Sequence, residues 1–459
     1  MVGKLLEPEI REMIAQRDFN ALRTGFLEWP PADLAELLTD LPQEEQVIIF
    51  RVLPSSVAAD TFEYLDVDVQ TRLIHAMGQE QVAAILNEMS PDDRTTLLEE
   101  LPANVVSQLL RLLTPRERAV AQSLLNYPES SVGRLMTPNF VSVRESWTVA
   151  QVLDHIRRHG ADSETLNVIY VVDEAGHLVD DVRINEFLLK PLETEVRLLH
   201  GGKVPPLKVT DLESEAVEIF RKYDRTVLPV VDSDEKLLGI VTVDDVLDVA
   251  VEETTEDIQK LGAVEALDEP YLDVSLWKLV RKRAVWLVVL FVGEMLTATA
   301  MGVFEEQIAR AVVLALFVPL IISSGGNSGS QATTLIIRAM ALGEVRLRDW
   351  WRVMRREVQA GFFLGCILAV IGFARITIWT LFSKQYGPHG MLVGATVSLS
   401  LVGVVLWGTL AGSMLPFILR RLGLDPATSS APFVATLVDV TGLIIYFSIA
   451  TTVLRGTLL

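Results

Sequence analysis

Pro432-Phe-Val-Ala-Thr-Leu-Val-Asp439-Val-Thr-Gly-Leu-Ile-Ile-Tyr-Phe-Ser-Ile-Ala-Thr-Thr-Val453 decides how this chain is read. The run is long enough to cross a bilayer as one helix. It carries one acidic residue, Asp439, and no basic residue to pair with it. A carboxylate at membrane depth costs several kcal/mol unless it faces water, a partner or an ion. Asp439 is therefore either a cation site or a structural carboxylate hydrogen-bonded to a neighbouring helix.

Working upstream, four more apolar stretches precede it, over Ala284–Phe304, Ala311–Met340, Val358–Phe382 and Met391–Leu419. Basic residues sort by side. Arg281, Lys282 and Arg283 precede the first stretch, Arg346 to Arg356 lie between the second and third, and Arg420 and Arg421 between the fourth and fifth. Glu305-Glu306-Gln307 and Ser383–Gly390 are poor in basic charge. By the positive-inside rule the residues before the first span lie in the cytoplasm and the C-terminus outside. The second stretch contains Pro319-Leu-Ile-Ile-Ser-Ser-Gly-Gly-Asn-Ser-Gly-Ser-Gln331. That composition predicts a broken helix at membrane depth, tolerated where it is buried or lines a water-filled cavity. A lone glycine pair would instead indicate close helix packing. Glu294, in the first stretch, is either a helix–helix hydrogen-bond partner or a group of a pore vestibule.

The chain has 459 residues, 60 acidic against 40 basic, and a net charge of −20. Its mean hydropathy is nevertheless +0.35. Both hold because the chain is split near Trp277 into an acidic, soluble half and an apolar half. An acidic half disfavours nucleic acid, whose phosphates need basic patches. The single cysteine, Cys366, excludes a disulfide framework and a cysteine-based metal site. The N-terminal residues show no apolar signal segment, which fits the cytoplasmic expectation.

Up to about Tyr127, prolines at positions 42, 54, 91, 102 and 115 punctuate short amphipathic stretches. Proline starts helices and breaks their interiors, so the spacing predicts successive short helices stacked as a superhelix. The acids Asp60, Asp92, Asp93, Glu99 and Glu100 read as a solvated outer face. From about Ser130 the pattern alternates. Asn167-Val-Ile-Tyr-Val-Val-Asp173 and Thr226-Val-Leu-Pro-Val-Val-Asp232 are one strand unit written twice, each after an amphipathic helix. Two similar small domains follow from that repeat. Val243 to Gly262 then reads as one helix on which Asp245, Asp248, Glu252, Glu256 and Gln259 share a face. The face is either merely exposed, or packs closely only when cations neutralise it. No nucleophile–base pair or phosphate-cradling loop is placed for catalysis, so no enzyme is expected.

The tandem repeat, opening at Leu135-Met-Thr-Pro138, resembles a CBS pair. In order, the pieces resemble an MgtE-type magnesium channel. The resemblance rests on Gly325-Gly326-Asn327-x-Gly329-x-Gln331, Leu422-Gly-Leu-Asp-Pro426 and Ala435-Thr-Leu-Val-Asp-Val-Thr-Gly442. It implies a multidomain fold: a helical N-terminal domain (1–129), two α/β CBS domains (130–192 and 193–250), a connecting plug helix and linker (243–278), and a five-span helical transmembrane domain (279–459). It implies a homodimer in the lipid of the cell inner membrane, with a pore lined by the second and fifth spans. Hydrated Mg2+ would be held by Asp439 and the backbone carbonyl of Ala435, with Gly325, Gly326, Asn327, Gly329 and Gln331 along the pore. Cytoplasmic Mg2+ would close the channel through Asp60, Asp92, Asp224, Asp245, Asp248, Glu253, Glu256, Asp257 and Asp425. The chain departs from the family pattern at Thr96, Ser330 and Arg225.

CBS pairs often bind adenosine nucleotides, here ATP, with Thr-x-x-Asp contacting ribose. Thr242 and Asp245 carry that signature in the second copy, with Tyr170 as a further contact. The first copy reads Arg183-Ile-Asn-Glu186 at that place. The competing expectation is a membrane-anchored adenosine-nucleotide sensor whose spans only dimerise and pass no ions.

Overall fold

The computed structural model describes residues 2–199, 201–202, 204–267, 271–272, 274–382 and 389–458. The basic-poor connection expected at Ser383–Gly390 therefore lies mostly outside the described residues, as do four residues of the 243–278 linker. Chain contacts divide the molecule into two compact units, Met1–Glu252 and Glu253–Leu459.

In the first unit, ten short helices run from Val2 to Leu125 among the described residues. Pro42, Pro54 and Pro102 precede helix starts, and Pro91 and Pro115 occupy first turns, as the punctuation predicts. A repeat less obvious in the sequence ties the helices together. The side chains of Gln46, Gln70, Arg94 and Arg118 each donate to the carbonyl eight residues back, at Leu38, Phe62, Leu86 and Leu110, over 2.7, 2.7, 2.9 and 2.6 Å. These carbonyls lie at or near helix C-termini, where backbone acceptors lack intrahelical donors. One long polar side chain per helical hairpin thus closes each layer of the superhelix.

Two three-stranded sheets follow, each with one parallel and one antiparallel pairing. The first joins β1 (Ser142–Arg144), β2 (Val168–Val172) and β3 (Leu178–Arg183). The second joins β4 (Leu207–Lys208), β5 (Val227–Val231) and β6 (Leu237–Thr242) in the same order. Both carry a register shift at the end of the middle strand. Helices Val149–His159 and Glu213–Tyr223 precede the middle strands, as the repeat predicts. Val168, Tyr170 and Val172 meet Val227, Leu237 and Ile240 in a shared core between the two copies.

The connecting helix spans Val243–Leu261. It stops one residue before Gly262, and the left-handed turn falls on Ala263 (φ 57°).

Five helices are long and apolar enough to cross a membrane: Leu276–Val303, Val312–Ala341, Leu347–Phe382, Gly390–Arg421 and Ala431–Val453. The first and third begin earlier than their apolar stretches, because helical backbone continues into the basic flank. Hydropathy marks the bilayer slab, not the helix end.

The second span corrects an expectation. Its α-helix is continuous from Val318 to Ala341, through Gly325, Gly326 and Gly329. The irregular backbone lies upstream, as a 3₁₀ stretch at Val312–Phe317, and the hydroxyl of Tyr446 donates to the carbonyl of Leu314 at 2.9 Å. The glycines serve close packing instead. A Cβ at Gly408 would stand 2.3 Å from the carbonyl oxygen of Gly325, and one at Gly412 would stand 2.2 Å from that of Gly329. Two rows of small residues four apart thus let the second and fourth spans touch backbone to backbone. Ser328 and Thr409 share a hydrogen bond of 2.8 Å, and Thr333 donates to the Gly412 carbonyl at 2.8 Å.

Candidate cation path and acidic cluster

Asp439 is half-buried in the fifth span and faces Gly326 of the second. A Cβ at Gly326 would lie 3.4 Å from the Ala435 side chain and 3.7 Å from the Asp439 Oδ1. Glycine therefore leaves the room in front of the carboxylate. Among the described residues Asp439 has no hydrogen-bond or ion-pair partner. Glu294 of the first span lies within electrostatic range of it. No described residue locks Asp439 in the way the structural reading of the sequence requires.

The second span adds a stripe of exposed polar side chains. Ser323, Asn327, Gln331 and Thr334 recur at spacings of four and three and so share a face. Gly325, Gly326 and Gly329 lie on the buried side. Of the residues expected along a path, only Asn327 and Gln331 thus present side chains to open space.

In the first unit, carboxylates from several parts of the chain crowd together. Asp92 and Asp93 begin the Pro91–Glu100 helix, Glu63 and Asp60 lie on an earlier helix, Glu164 follows the first-copy helix, and Asp244, Asp245 and Asp248 open the connecting helix. The expectation of a solvated outer face fails at Asp92, which is 5% exposed with a buried Oδ1 lacking any hydrogen-bond partner. Burial, then Asp245, Asp93 and Glu164, hold its carboxyl well above the ordinary range. Burial is the largest cause raising Asp245, to about 7, against the opposing hydrogen bond of 2.6 Å from Thr242. Glu63 is also raised to about 7, by burial and then by Asp93. It nonetheless accepts from the Ser90 amide at 2.7 Å. Asp93, Glu164 and Asp248 are raised for the same first reason, burial.

Among the described residues no three acids or imidazoles converge in ligand geometry for one ion. The donor set nevertheless suits a hard cation, which takes one or two carboxylates and keeps its water. The orphaned oxygen of Asp92 is the local sign of that fit. Asp60 is exposed beside Glu63, and Asp224 stands apart as the exposed left-handed cap (φ 54°) of its helix.

The second unit holds another acidic group. Lys260 donates to Asp425 Oδ2 at 2.8 Å and pairs with Glu256 Oε1 at 2.8 Å. Asp257 is raised by burial, then by Asp425, with Lys260 opposing. Asp425 Oδ1 also accepts from the Ala427 amide at 2.8 Å. A lysine thus already neutralises part of this group. Glu253 is exposed one turn earlier.

Tyr170, Thr242 and Asp245, the residues expected to contact a nucleotide, lie on β2, on β6 and on the connecting helix. Tyr170 is 1% exposed, packed edge-on against Phe140 at 6.0 Å, with a hydroxyl lacking a hydrogen-bond partner. It belongs to the core shared by the two copies. Arg225 pairs with Asp181 at 3.1 Å beside it and donates to the Gly202 carbonyl at 2.9 Å. Asp245 is bonded to Thr242 within the acidic cluster.

Comparison with known proteins matches each part in turn. Residues 29–130 match the MgtE intracellular N domain, and 132–189 and 203–252 match CBS domains. Residues 318–449 match MgtE, described as a divalent cation transporter. The magnesium transporter MgtE of Thermus thermophilus is 40% identical over 98% of this chain and 99% of its own length.

The chain belongs to the MgtE family.

The MgtE of Bacillus subtilis is 29% identical over 95% of this chain and 94% of its own. Among solved structures, the cytosolic domain of the Mg2+ channel MgtE in complex with ATP is 37% identical. It covers 52% of this chain and 98% of its own, with a TM-score of 0.50. The soluble part of a magnesium transporter is 26% identical over 55% of this chain and 99% of its own, with a TM-score of 0.52. This MgtE chain is accordingly a multi-pass membrane protein with a helical N domain and a CBS pair.

Glu63, Glu164 and Lys260 are not legible from the sequence as members of these groups. Glu63 lies one helical turn from Asp60, a weak signal. Glu164 sits in a loop and gives none, while Lys260 is hidden among the acids around it.

Proposed function

We propose that this chain is a Mg2+-selective channel closed by Mg2+ on the side of its soluble half. The observation that carries the reading is Asp439, a carboxylate at membrane depth with space before it and no partner among the described residues. Asp439 and the Ala435 carbonyl hold Mg2+ through its water shell, because this ion dehydrates reluctantly. Exposed Asn327 and Gln331 fit a water-filled path between two copies, since polar side chains at this depth face a cavity or a partner rather than lipid. The family relatives named as magnesium transporters support the choice of ion.

Closure is a population shift. Mg2+ binds the crowded arrangement of Asp92, Asp245, Asp248 and their neighbours better than the relaxed one, and so populates it. Glu253, Glu256, Asp257 and Asp425 contribute on the connecting helix and inner loop, with Asp60 and Asp224 in outer roles. The domain limits are those given from the sequence, with the soluble half cytoplasmic and the C-terminus outside. The chain carries out no catalysis.

A second reading has one observation in its favour: a relative's cytosolic domain was solved with ATP. On it, the chain is a nucleotide sensor that passes no ions. Purified protein in liposomes separates the two. The channel reading predicts Mg2+ flux that falls as Mg2+ rises on the soluble-half side. Absence of flux together with tight ATP binding would establish the sensor instead.

A further inference from the structure

The helix Val149–His159 of the first CBS copy carries two histidines at its C-terminal end, His155 and His159. Their spacing of four puts both rings on one face. The ring centroids are 4.6 Å apart, with planes inclined by 45°. With imidazole nitrogen–metal bonds of about 2.1 Å, two rings at adjacent corners of one ion have centroids roughly 4.5–5 Å apart. The pair is therefore already at chelating distance. Neither ring has a hydrogen-bond partner among the described residues, so no bond has to be given up on binding. His155 is held edge-on against Trp147, with centroids 5.0 Å apart, which fixes one ligand in place. His159 is exposed and open to an ion from solution.

The electrostatics permit a cation here. A helix C-terminus carries partial negative charge. Arg158, beside His159 on the same turn, is paired with Asp154 one turn earlier. Burial, His159 and Arg158 push His155 below its ordinary value, with Asp154 opposing.

We propose that His155 and His159 form a two-imidazole site for one borderline divalent transition ion, Zn2+, Ni2+ or Co2+, with water completing the shell. Imidazole suits these ions, whereas Mg2+ takes oxygen ligands. The site is thus separate in chemistry from every carboxylate group described above, and Mg2+ does not compete for it. A protein of the divalent cation transporter family would carry on its first CBS copy a reader for ions other than the one its carboxylates suit.

The test uses the full chain in detergent, with any affinity tag removed, and Ni2+ as the probe in excess Mg2+. Equilibrium dialysis should find Ni2+ bound at one per chain beyond what His159→Gln and His155→Gln retain. Each single substitution should weaken binding by at least about tenfold, because the second imidazole then no longer binds intramolecularly. Bound Ni2+ should also quench part of the tryptophan emission, and Trp147→Phe should remove that quenching without removing the ion. His159 is exposed, so His159→Gln decides the matter even if the His155 variant folds poorly. Equal Ni2+ binding by wild type and His159→Gln, or no Ni2+ bound by wild type in excess Mg2+, would overturn the proposal.

Discussion

Asp439 is half-buried and Asp92 buried, and the surroundings of these two carboxylates differ in kind. Asp439 faces glycine, with one other acid, Glu294, in electrostatic range. Asp92 is one of a crowd contributed by several separate segments. A solitary acid can be balanced by one passing ion and left again. A crowd is costly when empty and therefore responds steeply to whatever neutralises it, proton or metal. Conduction suits the first arrangement and regulation the second. The scaffolds differ accordingly. The membrane carboxylate stands among helices packed with backbone contact, whereas the cluster draws its acids from separate segments of the chain.

The comparison breaks most severely at the glycine rows. A Cβ at Gly408 already falls 2.3 Å from the Gly325 carbonyl oxygen, so Gly408→Val would drive a branched side chain into backbone. Overpacking costs about 1–3 kcal/mol in a yielding core, and more against backbone. The variant should lose folded protein in detergent, read by size-exclusion recovery. A monodisperse, thermally unaltered variant would mean that the spans are not rigidly packed there.

The next test concerns the crowd. Glu63 and Asp245 are raised to about 7, above the ordinary carboxylate value near 4. Asp60, Asp92, Asp93, Glu164, Asp244 and Asp248 face them. Between those values the folded state binds more protons than the unfolded one, so stability falls as pH rises through about 7. In chelator, the soluble half should unfold at lower temperature at pH 8 than at pH 6. Each kcal/mol corresponds to about 2–4 °C for a unit of this size. Mg2+ should restore more at pH 8 than at pH 6, and Asp92→Asn should reduce both effects. A flat pH response in chelator would show that the carboxylates are not crowded in solution.

A smaller effect is expected on the connecting helix, where Lys260 already offsets part of the charge. Glu256→Gln with Asp257→Asn should leave flux less inhibited by Mg2+ on the soluble-half side, by a several-fold rise in the half-inhibiting concentration. Unchanged inhibition would remove this face from the regulatory account.

How much of the molecule is legible in its sequence follows from range of interaction. Proline spacing, strand alternation and apolar length are local, and they place the short helices, the doubled sheet and the five spans. The continuous helix through Gly325 and Gly326 escapes such reading, because glycine's local cost is visible and the neighbour it admits is not. Gly408 lies 83 residues away in sequence (408 − 325), and only the fold brings the two together. Asp92 reads as part of a solvated face for the same reason, since what buries it comes from distant segments. Asp439 is legible because an unpaired acid in an apolar run is conspicuous without any partner in view.

Asp439→Ala, compared with wild type for Mg2+ flux into liposomes at matched reconstituted protein, tests the central claim most directly. The account predicts flux at the level of empty liposomes, with the variant still inserted and still stabilised by Mg2+ in its soluble half. Wild-type flux through Asp439→Ala would contradict it.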